Sequence, residues 1–267
     1  MKTEKKYNPK VSILIINYNN KKLIKQSINS VISQDYKNFE VIFFDDNSTD
    51  GSLDILKKIK KKNFFLIKNK KQYKYGSYNQ INGYIQAFDK SKGDIIFFLD
   101  SDDFFHKNKI SIIMNYFLNN KKKDIIFDLP IKLIREKKIF VKFKSKILKN
   151  YWPFLPPTSC FTMKKSYFKK IFKLISNQKF INIWMDFRIV VASKYLFEQY
   201  NVINKNLTFY RQTNTNISSK FKFLSKNWWI RRKQAHSYIK FFFKKNNICY
   251  KKNIDYFITE WANFFIR

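Results

Sequence analysis

Histidine and cysteine are nearly missing: the chain has two of each, His106 and His236, Cys160 and Cys249. That rules out a multi-histidine metal site, a disulfide framework and a cysteine-based zinc site. Carboxylates are also few, 19 against 54 lysines and arginines, for a formal net charge of +35. No apolar run approaches the roughly 18 residues that cross a bilayer. The opening Met1–Lys6 is charged, but Val11–Ile16 is too short for the core of a signal peptide. These absences point to a cytoplasmic protein without a cleaved leader. Apolar residues make up 45% of the 267, enough for one large packed α/β domain, or a domain with a helical appendage.

The positive charge first suggests nucleic acid. Its cations are mostly lysine, however, and they accompany abundant Asn, Ile, Phe and Tyr. Codons for these residues are rich in A and T, so genome composition is a competing origin. The few carboxylates are also bunched. Asp45, Asp46, Asp50 and Asp54 form one group; Asp94, Asp100, Asp102 and Asp103 form another. Such clusters repel nucleic-acid phosphates, and no nucleic-acid partner is expected. Whatever its origin, the basic surface attracts anionic lipid headgroups and phosphorylated substrates.

The first hundred residues alternate between two periodicities. Val11–Ile16, Phe39–Phe44, Phe64–Ile67 and Asp94–Leu99 are short apolar runs that read as buried strands. Leu23, Ile24, Ile28, Val31 and Ile32 recur at helical spacing, as do Leu53, Ile55, Leu56 and Ile59, with Ser48, Thr49 or Asp50 near the second N-cap. Residues 77–90 form a further helix. This order predicts a Rossmann-like α/β fold with a mostly parallel central sheet flanked by helices. Ligands then bind beyond the carboxyl ends of the strands. After residue 125 the pattern loosens. Ile125–Leu129, Ile131–Ile134 and Ile139–Phe143 are candidate strands, and 183–196 is a helix. From Phe221 onward the chain is helical, basic and aromatic. Such helices suit a membrane interface or cap a core equally well. His236 reads as a helix-surface residue.

Both aspartate groups fall at strand ends. Carboxylates this close repel one another unless a cation or hydrogen-bond donors compensate. Oxygen-only ligands of this kind suit Mg²⁺ or Mn²⁺ together with substrate phosphates. Turn and cap duty is the competing reading, favoured for Asp50 and Asp54.

Val11–Asn19, the run Asp45-Asp46-Asn47-Ser48-Thr49-Asp50, and Gly93 through Asp103 resemble three signatures of family 2 glycosyltransferases of the GT-A fold, in the same order. The clear resemblance covers residues 9–105 and a weaker one extends to 218. It implies a GT-A domain over 1–218, with a nucleotide-sugar half at 9–105, an acceptor half at 106–218, and a helical C-terminal extension at 219–267. By position, Tyr18 and Asp46 would contact the nucleotide base, Ile16 would line that pocket, and Gln80 would face the donor. Asp100, with Ser101 beside it, would lie near the ribose and the metal, and Asp102 would ligate a divalent metal, Mn²⁺ or Mg²⁺. Asp186 resembles the family's catalytic base, Thr158 and Ser159 its acceptor loop, and Arg211 part of a late Tyr-Arg-x-His element, in which Thr213 replaces the His. The implied activity is inverting transfer from a nucleotide-diphosphate sugar to a glycan or lipid-linked acceptor, in surface polysaccharide or glycolipid assembly. Work at the inner face of the cell membrane, bound peripherally to anionic lipid, fits the same picture. Three alternatives remain at this level: a catalytically inactive relative, a basic nucleic-acid- or membrane-binding protein, and a nucleotidyltransferase. Asn17–Asn20 lacks the glycine-rich phosphate loop that the last would carry.

Overall fold

In a computed structural model of the protein, residues 8–135, 137–143, 152–177, 179–212 and 221–266 are described. Every residue of β1 (Val11–Asn17) is buried, because helices cover both faces of the sheet; the unbroken apolar run has this cause. β1 pairs in parallel with β2 (Phe39–Asp45) and β4 (Ile95–Asp100), and β2 with β3 (Phe64–Lys68). Alternate side chains go to opposite faces. Ile16, Phe44 and Phe98 pack with Tyr84 of α3 (Gly76–Lys90), Phe168 of α5 (Lys165–Ile175) and Ile189 of α6 (Met185–Tyr195). Ile15, Phe43 and Leu99 pack with Ile24 and Ile28 of α1 (Lys21–Ile32) and Ile113 of α4 (Lys109–Asn119).

Gly93 leads into β4 where no side chain fits. A Cβ there would lie 2.5 Å from the Ser12 nitrogen. Its own N–H donates to Ser12 Oγ at 2.8 Å, and Ser12 in turn donates to Glu40 at 2.7 Å.

The second half of the sheet is mixed. β8 (Phe161–Lys164), which follows a 3-10 turn at Thr158–Cys160, runs antiparallel to both β4 and β6 (Ile125–Ile134). β6 pairs in parallel with β9 (Val202–Arg211), and β9 carries the two-residue β5 (Phe104–Phe105) on its far edge. The order is thus β3-β2-β1-β4-β8-β6-β9-β5. Parallel pairing governs the first half, as the sequence predicts; the short strands of the second half escape that rule.

Two further expectations change and a third sharpens. The two strands expected either side of Pro130 are one strand, whose register against β9 shifts at Leu129 and Pro130. That irregularity tolerates a residue with no N–H to donate. The expected 139–143 strand is β7 (Lys137–Phe140), hydrogen-bonded to β6 as an exposed edge. Gly51 occupies the N-cap position of the helix α2 (Ser52–Lys57) at φ 85°, a left-handed conformation that suits glycine, and Asp50 beside it accepts the N–H of Ser52, the first helical residue.

The C-terminal segment forms α7 (Lys226–Lys245) and α8 (Ile254–Phe265). Tyr238, Ile239, Phe242 and Phe243 of α7 pack on Phe187 and Val191 of α6, so α7 caps the domain core. Among the described residues, no helix is long and apolar enough to cross a membrane.

Candidate active site

The parallel register brings the ends of β1, β2 and β4 to one edge: Asn17 lies opposite Asp45, and Ile16 opposite Asp100. Asn17 is buried and spends its amide on the Asp45 carboxylate at 2.7 Å, Ser52 Oγ at 2.9 Å and Ser48 Oγ at 3.1 Å. Asn19 sits at a left-handed φ of 50°, which Asn tolerates. Its N–H donates to Ser48 Oγ, and its side chain accepts from the Thr49 N–H. Asp50 accepts the N–H groups of Lys21 and Ser52. These bonds join the loops after β1 and β2 and give Asp45 and Asp50 structural duties.

Asp46, the residue after β2, is buried and held from the loop after β3. Asn69 donates to its carboxylate at 2.5 Å, and the Gln72 amide donates to its carbonyl. Burial pushes the Asp46 carboxyl above its ordinary value, with Asn69 and Gln72 pulling it back. Tyr18, just past β1, is 54% exposed. The Ile16 carbonyl accepts the Ser101 N–H at 3.0 Å, and Asn20 donates to Ser101 Oγ at 2.8 Å, so the Asp-Ser-Asp loop is tied to the loop after β1.

Asp100 accepts from Tyr84 Oη at 2.8 Å and from Gln80 at 3.4 Å. Burial first, then the neighbouring Asp102, raise its carboxyl to about 7, and Asp186 adds to the push. Burial also raises Asp102. Two carboxylates are therefore held where negative charge is unfavourable, and the Arg211 guanidinium beside them donates to the Asp102 carbonyl and to Gln26. A divalent cation would relieve this arrangement, so the residues fit one. Among the described residues, no group of three or more His, Cys, Asp or Glu could hold a metal alone. Further ligands would have to come from substrate oxygens or water.

Asp103 has another task. Its carboxylate accepts from Ser159 Oγ at 2.6 Å and from the Arg211 N–H at 3.0 Å, which locks β9 to the aspartate loop. Ser159 also accepts the Asp100 N–H at 3.0 Å and is fully buried. Its hydroxyl lies beneath the carboxylates, a correction to its expected place against the acceptor. Thr158 is buried as well.

Asp186 stands in the first turn of α6, whose N-cap, Trp184, offers no side-chain bond. Its carboxylate accepts the Phe187 N–H at 2.7 Å. Burial raises it, and Arg231 of α7 moderates the rise. Its effect on Asp100 brings this distant residue into the electrostatics of the strand-end cluster.

Residues 12–175 match the family model described as glycosyl transferase family 2. The chain belongs to that family.

Relatives of this family 2 chain include an uncharacterized glycosyltransferase of Nostoc sp., 29% identical over 214 residues, covering 76% of this chain and 64% of the relative. The Escherichia coli UDP-Glc:alpha-D-GlcNAc-diphosphoundecaprenol beta-1,3-glucosyltransferase WfaP is 44% identical over 101 residues, 38% of each chain. The chain therefore spans less than two thirds of either relative. Among solved structures, S. aureus TarS 1-349 in complex with UDP-GlcNAc superposes with a TM-score of 0.64 at 17% identity, over 95% of this chain and 70% of that one. That likeness establishes a shared fold, with helices flanking a curled mixed sheet.

Within the family 2 framework, several positioning residues had no visible sequence signal: Asn69, Gln72 and Tyr84. Thr213, the substitution in the late element, lies outside the described residues. His236 is a correction: it is buried in α7 and bonds Asp255 of α8 at 2.8 Å.

Proposed function

We propose that this family 2 chain transfers a sugar from a nucleotide-diphosphate sugar to an acceptor hydroxyl, with inversion at the anomeric carbon, during assembly of a surface polysaccharide or glycolipid. The supporting observation is the arrival of Asp46 and the Asp100–Asp102 pair just past the carboxyl ends of β2 and β4, which flank β1, with Asp186 near enough to raise the Asp100 carboxyl. Asp46, oriented by Asn69 and Gln72, would accept from the base, with Tyr18 against its ring and Ile16 behind. Gln80 and Tyr84 hold the Asp100 carboxylate, which would lie near the ribose. Asp102, with Asp100, would hold Mn²⁺ or Mg²⁺, and Arg211 would lend positive charge nearby. When bound, the cation would supply charge compensation to the departing diphosphate. Asp186 would take the acceptor's proton as its oxygen attacks the anomeric carbon and the bond to the diphosphate breaks. Thr158 remains the candidate acceptor contact. A lipid-linked acceptor at the inner membrane face accords with the diphosphoundecaprenol substrate named for the Escherichia coli relative.

The test is a panel of nucleotide-sugars offered to the purified chain, with metal-dependent turnover as readout. Asp102→Ala and excess chelator should each nearly abolish transfer. Full activity in chelator would remove the metal, and no turnover or binding of any donor would remove the transferase reading.

A further inference from the structure

Helix α8 is amphipathic in an unusual sense: its apolar face points outward. Ile254, Phe257, Ile258, Trp261, Phe264 and Phe265 are between 50% and 78% exposed. Their spacing puts all six on one stripe about 120° wide at 3.6 residues per turn. The opposite face is committed. Asp255 accepts from Trp152 Nε1 at 2.5 Å and from Arg232 Nε at 3.1 Å, and it meets His236 at 2.8 Å. Glu260 pairs with Lys233 at 2.8 Å. Thr259 and Ala262 are buried, and Asn263 donates to the Trp229 carbonyl at 3.1 Å. The helix cannot roll to hide its stripe without breaking these bonds.

We propose that α8 is a membrane-docking element, whose aromatic stripe enters the headgroup region of an anionic bilayer. Charge complementarity decides the occupant. Both acids of α8 are neutralised by α7, so the outward face presents no unpaired carboxylate to a phosphate surface. Exposed Lys251 and Lys252 lie immediately before the helix, and exposed Lys244 and Lys245 close α7. A second copy of this chain would set one +35 molecule against another, whereas an anionic surface is attracted. Twelve residues give a helix of about 18 Å, too short to span a bilayer of about 30 Å. Lying in the interface plane remains, and Trp and Phe favour that depth.

The docking surface is mechanically close to the site. Phe187, next to Asp186, packs on Tyr238 of α7 with ring centroids 5.9 Å apart. A docked α8 would thus orient the strand-end cluster relative to the lipid. The inference rests on the proposed function for that purpose alone; docking itself stands on α8.

The experiment is vesicle co-sedimentation of the full chain with phosphatidylcholine alone and with phosphatidylcholine containing phosphatidylglycerol. The wild type should bind the anionic vesicles and leave the neutral ones. F257S/W261S/F264S should lower the partition constant at least tenfold with an unchanged melting temperature, since those side chains have little to lose on the surface. Lys251→Glu with Lys252→Glu should weaken binding most at low salt. Equal binding by wild type and the triple variant would overturn the proposal. So would no wild-type binding, or self-association that the triple variant abolishes in the absence of lipid. Donor turnover without lipid is measured in parallel, so a failed transferase reading is told apart from a failed docking surface.

Discussion

Asp186 and its neighbours separate two roles that a carboxylate at a helix start can play. If Asp186 removes the acceptor's proton, Asp186→Asn should cut kcat by about 10²–10⁴-fold and leave the donor dissociation constant intact. Asn keeps the Phe187 N–H bond, and it favours helix N-termini about as well as Asp, so a merely structural Asp186 would give near-normal turnover. Burial holds the carboxyl above its usual range, so the acid limb of kcat should lie above the ordinary carboxylate pKa; a limb at or below it would argue against Asp186. Asp46 is equally testable. Asp46→Ala removes a charge-assisted hydrogen bond and should weaken donor binding by about 1.5–3 kcal/mol, read by titration calorimetry, with an unchanged dissociation constant excluding it. Asp46, Asp100 and Asp102 were legible as strand-end carboxylates, because an apolar strand that stops at Asp-Asp or Asp-x-Asp leaves them at the sheet's edge; Asp186, at a helix start, was singled out only by the family resemblance. Ser159 was misread because its partners, Asp100 and Asp103, are 59 and 56 positions away. Tyr84 and Asn69 were invisible for the same reason: a single polar residue in a helix or loop gives no sign of the carboxylate it meets.

The pairing of α7 and α8 carries its own pH response. Burial lowers the pKa of His236, with Asp255 opposing. Burial raises Asp255, yet Arg232, Trp152 and His236 together bring it below its ordinary value. Each group therefore binds its proton less tightly in the fold than in the unfolded chain. The stability each contributes is complete above its unfolded pKa and declines as pH falls through the folded one. For His236 that decline begins below about 6.5. The melting temperature should thus drop between pH 7 and 5 in the wild type, and more shallowly in His236→Gln; identical slopes would show that the pair is not responsible. None of this is visible in α7 read alone, where aromatics surround the helix and the partner carboxylate lies 19 residues further on. Elsewhere, legibility followed how much of an element's pattern was local. β1, β2 and β4 are buried on both faces and announce themselves as apolar runs. β9 is VINKNLTFYR, with three polar residues in a row at Asn204–Asn206 that break both the apolar run and any alternation, and β8 has only four residues. Their pairings depend on partners 34 or more residues away, and local pattern cannot supply those.

A buried ion pair ties helix α4 to the second half of the sheet, and this makes the whole molecule's stability sensitive to a lysine outside the site. Lys109 of α4 donates at 2.7 Å to Asp128 of β6, to Thr208 of β9 and to the Ser159 carbonyl of the 3-10 turn. Lys109 and Asp128 are both fully buried. Burial pushes the Asp128 carboxyl up by more than Lys109 draws it down, so the pair survives on its hydrogen bonds and on geometry. Ser159 then relays the arrangement upward, its hydroxyl fixing Asp103 and the Asp100 N–H. Lys109→Met should strand a buried carboxylate, at a cost of about 3–5 kcal/mol, and lower the melting temperature by on the order of 10 °C. Adding Asp128→Leu removes that stranded charge. Thr208 Oγ1 can then donate to the Ser159 carbonyl, already 3.2 Å away, so the double variant should recover most of the loss. Buried pairs often exchange for apolar side chains at little cost, and the comparison of single with double variant isolates charge burial from lost packing. The site offers a second readout. If Ser159 transmits strain to the aspartate loop, Lys109→Met should weaken metal binding more than the double variant does. Equal destabilisation in single and double would mean that packing, rather than an unpaired charge, is what Lys109 contributes.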